Sequence, residues 1–165
     1  MTDTKLLHHT FTIERHFKHA PARVFAAFAD IKKKRRWMGG DGKPDHATKD
    51  YHGPTFAIDS HTLDFRIEGW ERWRFRADGM PMTNDTLYLD IVKDSRIIFA
   101  YTMVHGDTKL SSSHTTVELV PEGAGTKLIF TEQGVYFDGK MESAVSRERG
   151  SGDLMNELVA EVERD

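Results

Sequence analysis

Three ionisable residues stand out because each sits among large apolar neighbours in a strand-like segment: Arg15 in TFTIERHF, Glu71 in WERWRFRA and Glu132 in TKLIFTEQ. Residues two apart on a strand share a face. Arg15 therefore goes with Phe11, Ile13 and Phe17, Glu71 with Trp73 and Phe75, and Glu132 with Leu128 and Phe130. The opposite phase of 70–77 would bury Arg72 and Arg74, so the Glu71 face is the inward one. Two chemistries follow. A carboxylate against apolar walls is poorly hydrated, its pKa rises, and it can act as a general acid or base. Glu132 and Glu71 are thus the candidate catalytic residues. Alternatively, Arg15 pairs with Glu71 or Glu132 in a structural ion pair that locks the interior. A one-residue register error in any of these strands would send its charge to solvent.

Other chemistries find less support. The chain has nine histidines. His8 and His9 form a polar N-terminal arm, His16 and His19 flank a strand end, and His46, His52 and His61 fall in or beside a long loop. No HExxH motif or i, i+4 histidine pair occurs, so these read as surface histidines and no metal is expected. The run Lys32 to Arg36 turns through about 400° on a helix, which scatters its charges instead of forming one basic face. It reads as a solvated short helix, with Trp37 after it placed to roof a pocket mouth. Ser113 and His114 are adjacent in a strand and point opposite ways, which counts against a nucleophilic dyad. The glycines at 39–42 and 123–125 lack a phosphate loop's lysine and strand-to-helix context. Zero cysteines exclude disulfides, thiolate metal sites and a cysteine nucleophile.

These side chains need elements to position them. The chain has 165 residues, of which 38% are hydrophobic, including 10 Phe, 4 Tyr and 3 Trp. That suits a single domain over 1–165 with its core at about 10–163. A net charge of -3 argues against a nucleic-acid partner. No apolar run approaches the roughly 20 residues that span a bilayer, and the first residues lack a signal peptide's apolar core. A soluble cytoplasmic protein without membrane insertion is expected.

The 10–17 strand is followed by a helix opened by Pro21 and carrying Val24, Phe25 and Phe28. Asp30 caps a second short helix ending near Trp37. Residues 38–61, rich in Gly, Pro, Asp and His, read as a long loop serving as a lid or rim. Strands are expected at 63–68, 70–77, 86–92, 96–104, 110–120 and 126–133. Their inward residues would include Leu89 and Ile91; Phe99, Tyr101 and Met103; and Val117 and Leu119. A stripe of Leu154, Leu158 and Val162 marks an amphipathic helix from about Glu142 or Arg147 to Glu163, loosened by Gly150 and Gly152. The order β, α, α, six β, α implies an α+β fold: a strongly curved antiparallel sheet wrapped around a long C-terminal helix. A cavity between sheet and helix follows from that arrangement.

The stretch IERHFKHAPARVFAAFADIKKKRRW, through Arg15, Ala20, Pro21, Val24, Phe25 and Trp37, resembles the opening of the START-like (SRPBCC) helix-grip superfamily. Within it the chain is most similar to the branch related to activators of the heat-shock-protein ATPase, also called polyketide-cyclase-like. DFRIEG, RIIFAYTM, TTVELVPEGAGTKLIFTEQG and the closing helix follow in the same order, so the resemblance spans residues 10–163. It departs from the common Gly-Gly before the third strand, with Gly69-Trp70 instead; Trp70 either narrows the pocket entrance or packs on the outer face. The resemblance implies a helix-grip fold with a deep apolar pocket, in a superfamily whose members bind lipids, sterols, flavonoids or hormones, cyclise polyketides or contact a chaperone.

The expected function is binding of a small, mainly apolar ligand, aromatic or lipid-like. Trp73, Phe75, Phe99, Tyr101, Met103 and Phe130 would form the wall. Trp37, Phe137, Met141 and Met155 would close over it, and Arg15, Glu71 and Glu132 would fix polar groups. Two other classes remain: a cyclase- or dehydratase-type enzyme using Glu132 or Glu71, and a chaperone-interaction module. No cofactor is expected, and the chain would be a monomer or homodimer.

Overall fold

The computed structural model describes residues 5–39 and 56–164. β1 (Leu7–Phe17) alternates as expected and buries Phe11, Ile13 and Phe17. α1 (Pro21–Ala29) begins with proline and buries Val24, Ala27 and Phe28. α2 (Ile31–Gly39) follows at once and buries Lys34 and Trp37. Its cap is Asp30, whose Oδ1 accepts from the backbone N–H of Lys32 at 2.8 Å and of Lys33 at 3.0 Å. These hydrogen bonds, Lys33's first, hold the Asp30 carboxyl below its ordinary range. Asp30→Ala should lower stability by about 1 kcal/mol in urea denaturation, the usual cost of losing such a cap.

Six strands follow: β2 (Phe56–Leu63), β3 (Trp70–Ala77), β4 (Met80–Val92), β5 (Arg96–His105), β6 (Thr108–Glu122) and β7 (Gly125–Tyr136). They pair antiparallel as a meander, and β1 adds beside β7, giving the order β1-β7-β6-β5-β4-β3-β2. The two short helices carry the chain from one edge of the sheet to the other. α3 (Met141–Glu163) has 23 residues, roughly 35 Å of helix. It runs unbroken through Gly150 and Gly152 and packs against β1, β7, α1 and α2. This is the helix-grip arrangement, with an open sheet.

Three arginines tie α3 to the rest. Arg15 donates from Nε to Asn156 Oδ1 at 2.9 Å and from Nη2 to the Gly152 carbonyl at 3.2 Å. Arg23 donates to the carbonyls of Val162 and Arg164, filling acceptors that a helix C-terminus leaves open. Arg36 pairs with Glu161.

Apart from longer strands, notably β4 from Met80 instead of 86, the sheet differs from expectation in three places. The alternating residues 63–68 are mostly a turn, and the strand lies before them, at Phe56–Leu63. There Glu68 has φ 65° and its N–H donates to the Tyr88 carbonyl at 2.8 Å. A Cβ on Gly69 would sit 2.1 Å from the Asp64 carbonyl oxygen, so the turn requires glycine. In β4 the register shifts between Tyr88 and Asp90. This bulge swaps the face of the preceding residues: Tyr88 is 1% exposed, whereas Leu89, expected inward, is 42% exposed. Of the loop expected at 38–61, residues 40–55 lie outside the described residues, and 56–61 belong to β2. Trp70 is on the outer face, under the Arg72 guanidinium.

Candidate functional site

A cavity of about 1600 Å³ lies between the sheet's inner face and α3, larger than most small-molecule pockets, which run to roughly 300–1,000 Å³. Trp73, Phe75, Phe99, Tyr101, Met103 and Phe130 all line it. Phe75, Phe99, Tyr101 and Met103 point inward yet are only partly covered by protein. Met155 on α3 faces them, and Phe137 stands at the rim, 39% exposed. Two expected positions differ. Met141 is 51% exposed and does not line the cavity, although Asp138, Glu142 and Ser143 around it do, because its side chain at the start of α3 is on the solvent side. Trp37 lines it from within the core, not as a roof: it packs edge-on against Phe28 and donates from Nε1 to the Ala27 carbonyl.

Two polar centres interrupt the apolar lining. The first is built on Glu71. Its Oε2 accepts from Lys34 Nζ at 2.5 Å and Tyr88 Oη at 2.6 Å; its Oε1 accepts from His61 Nε2 and Trp73 Nε1, each at 2.9 Å. Four donors fill the four lone-pair sites of one carboxylate. Since an ionised carboxylate only accepts, the His61 proton is on Nε2. The His61 ring stacks on Trp73 at 3.4 Å between centroids. Burial pushes the Glu71 carboxyl up, but the Lys34 charge and the hydrogen bonds from His61, Lys34 and Tyr88 outweigh it, leaving a pKa of about 2. Burial, then the Glu71 charge, raises the Tyr88 phenol. A permanently ionised, fully occupied carboxylate is poorly suited to proton transfer.

The second centre is built on Glu132, which is 1% exposed. Tyr101 Oη donates to Glu132 Oε1 at 2.7 Å. Arg147 on α3 donates from Nη1 to Tyr101 Oη at 2.9 Å and, more distantly, to Glu132 Oε1 at 3.4 Å; its Nη2 reaches Ser111 Oγ at 2.8 Å. Burial raises the Tyr101 phenol, with Arg147 opposing and Glu132 reinforcing. Burial also works against the Arg147 charge, but Tyr101, Glu132 and Tyr136 outweigh it and favour the guanidinium. Unlike Glu71, Glu132 keeps a buried oxygen, Oε2, with no partner among the described residues; Tyr136 Oη is in the same state.

The third expected polar group is elsewhere. Arg15 reaches α3 and pairs with neither glutamate, because the cations of the two centres come from helices: Lys34 from α2 and Arg147 from α3. The histidines also divide. His16 is an exposed partner of Glu122, whereas the His61 side chain is fully buried, contrary to the surface reading, because β2 carries it onto Glu71. His46 and His52 lie outside the described residues. Lys34, expected in solvent, is 4% exposed. Ser113 is buried and His114 exposed, on opposite faces as expected. Among the described residues no three metal-ligating side chains gather, and no helix is long and apolar enough to cross a membrane.

Solved structures share this architecture. The Mll3558 protein from Rhizobium loti is 42% identical, with 95% of this chain and 99% of that one covered and a TM-score of 0.79. A putative uncharacterized protein from Rhizobium leguminosarum is 36% identical, with 98% of each chain covered and a TM-score of 0.81. Ara h 8.0201, at 15% identity, shares the fold, with 94% and 98% covered and a TM-score of 0.67. No curated protein matches the chain. The sequence profile described as "Activator of Hsp90 ATPase homolog 1-like protein" matches residues 18–163, and the chain belongs to that family.

Proposed function

We propose that this protein binds a small, mainly apolar molecule, aromatic or lipid-like, between the sheet and α3. The observation that carries this reading is the row of inward-facing Phe75, Phe99, Tyr101 and Met103, left partly uncovered around a cavity of about 1600 Å³. Apolar surface held out of contact in a folded interior forgoes dispersion and hydrophobic stabilisation, which a ligand would supply. Glu132 supports a second reading, an enzyme of cyclase or dehydratase type, since it lines the cavity and keeps one carboxylate oxygen without a partner among the described residues. Glu132→Gln would separate the two, removing turnover while apolar binding persisted.

The test is titration with the neutral fluorophore Nile red, alongside native mass spectrometry of freshly purified protein. The expected result is saturable, blue-shifted dye emission with quenching of tryptophan, because Trp37 and Trp73 line the cavity. No co-purified molecule and no saturable dye signal would sink the proposal.

A further inference from the structure

The two polar centres differ in one respect that bears on ligand chemistry. Glu71 is saturated from within the protein, whereas Glu132, a residue of the cavity lining, keeps Oε2 buried with no partner among the described residues. Burying a carboxyl oxygen without a hydrogen bond is costly, so its persistence calls for a partner. The surroundings restrict which donor fits. Of Arg147's five N–H donors, those on Nη1 serve Tyr101 and Glu132 Oε1 and one on Nη2 serves Ser111, and none reaches Oε2. Tyr101 Oη is likewise used, as donor to Glu132 and acceptor from Arg147.

Tyr136 completes the pocket. Residues 132, 134 and 136 share the inner face of β7, and Gly134 between the other two leaves a gap. The Tyr136 ring folds over that gap: a Cβ on Gly134 would lie 3.1 Å from Tyr136 Oη and 3.1 Å from its ring edge. The phenol is thereby turned back along the strand towards Glu132, under the same Arg147 guanidinium that lies 5.7 Å from its ring centroid. Tyr136 Oη is itself buried and without a partner among the described residues.

Resting on the binding role proposed above, we infer that the ligand carries a neutral hydroxyl, phenolic or alcoholic, that donates to Glu132 Oε2 and accepts from Tyr136 Oη. One hydroxyl satisfies Glu132 Oε2 and Tyr136 Oη at once; Ser113 Oγ and Thr115 Oγ1, on β6 opposite Gly134 and Glu132, are also buried and make no hydrogen bond to either. An ether can accept from Tyr136 but leaves Glu132 unmet. A carboxylate brings a second negative charge against Glu132, whose one cation is already shared among three acceptors. The site thus selects the head group, while the apolar wall tolerates variation in the rest.

The experiment displaces Nile red with a naphthol, its methyl ether and the corresponding naphthoate at pH 7, where the naphthol is neutral. The naphthol should bind about tenfold more tightly than the ether, as expected for a hydrogen bond to a charged group, and the naphthoate more weakly than both. Glu132→Gln should shrink the naphthol preference to within about threefold. Should that variant fold poorly, Tyr136→Phe should weaken naphthol and its ether alike, roughly three- to tenfold, since both accept from Tyr136 Oη, and unchanged naphthol binding would overturn the shared hydroxyl. Equal binding of naphthol and ether would overturn hydroxyl recognition and leave apolar binding standing. Tightest binding by the naphthoate would overturn it in favour of an anion site on Arg147. Absence of a saturable Nile red signal would remove the binding role itself, and this inference with it.

Discussion

Lys34→Met should destabilise the protein by about 3–5 kcal/mol, the usual cost of stranding one member of a buried ion pair. Glu71 is 2% exposed and Lys34 4% exposed, so water cannot replace the lost ammonium without opening the sheet–helix junction. The remaining donors, Tyr88, His61 and Trp73, supply hydrogen bonds but do not replace the ammonium. The double variant Lys34→Met, Glu71→Gln should recover much of the loss, since neither position then carries a charge. Urea denaturation at pH 7 measures both. A single-variant loss below about 1 kcal/mol would show that the pair is effectively solvated.

The same centre fixes the direction of the pH dependence. The Glu71 carboxyl is at about 2 in the folded chain against an ordinary value of 4.5. Between those values the unfolded chain binds the additional proton, so stability falls as pH falls. The contribution, about 3 kcal/mol at order of magnitude, is fully present above about pH 4.5 and is lost as pH falls through about 2. In Lys34→Met the cation that lowers the carboxyl is gone. The gap between variant and parent should therefore narrow on acidification.

What sequence alone disclosed depends on the regularity of each strand. β7 pairs with β1 and β6 without a register shift, so strict alternation placed Leu128, Phe130 and Glu132 correctly. β3 was legible for the same reason, with Glu71 and Trp73 buried and Trp70 and Arg72 exposed. β4 misled because its bulge reverses parity at Leu89, hiding Tyr88, the phenol that Glu71 needs. β2 is an edge strand with a register shift between Ile58 and Ser60 and mostly exposed residues. It shows no alternation, and His61 passed for a loop residue. Two cations had overlooked helical signals. Lys34 is three residues before Trp37 and so on its inward face, while Arg147, Ser151 and Met155 are spaced by four along one stripe of α3. Strand parity can nominate a buried carboxylate, but its partner comes from whichever helix the topology lays across it.

Arg147→Met is the counterpart on the other side of the cavity, and it too should cost about 3–5 kcal/mol. The loss acts through three acceptors: Tyr101 Oη and Ser111 Oγ each lose a donor, and Glu132, 1% exposed, loses the cation that offsets its charge. The Arg147 fork bridges β5, β6 and β7 from α3, so the substitution also loosens the helix from the sheet. Arg147→Lys separates charge from geometry. A lysine restores the positive charge but has one nitrogen and cannot span Tyr101 and Ser111 together. It should recover less than half of the loss in urea denaturation. Full rescue by lysine would mean that charge alone matters and that the fork geometry is incidental. Retention of full stability by Arg147→Met would show that water already compensates Glu132. In that case Oε2 would have no need of a donor from a ligand, and the hydroxyl specificity inferred for the cavity would lose its physical basis.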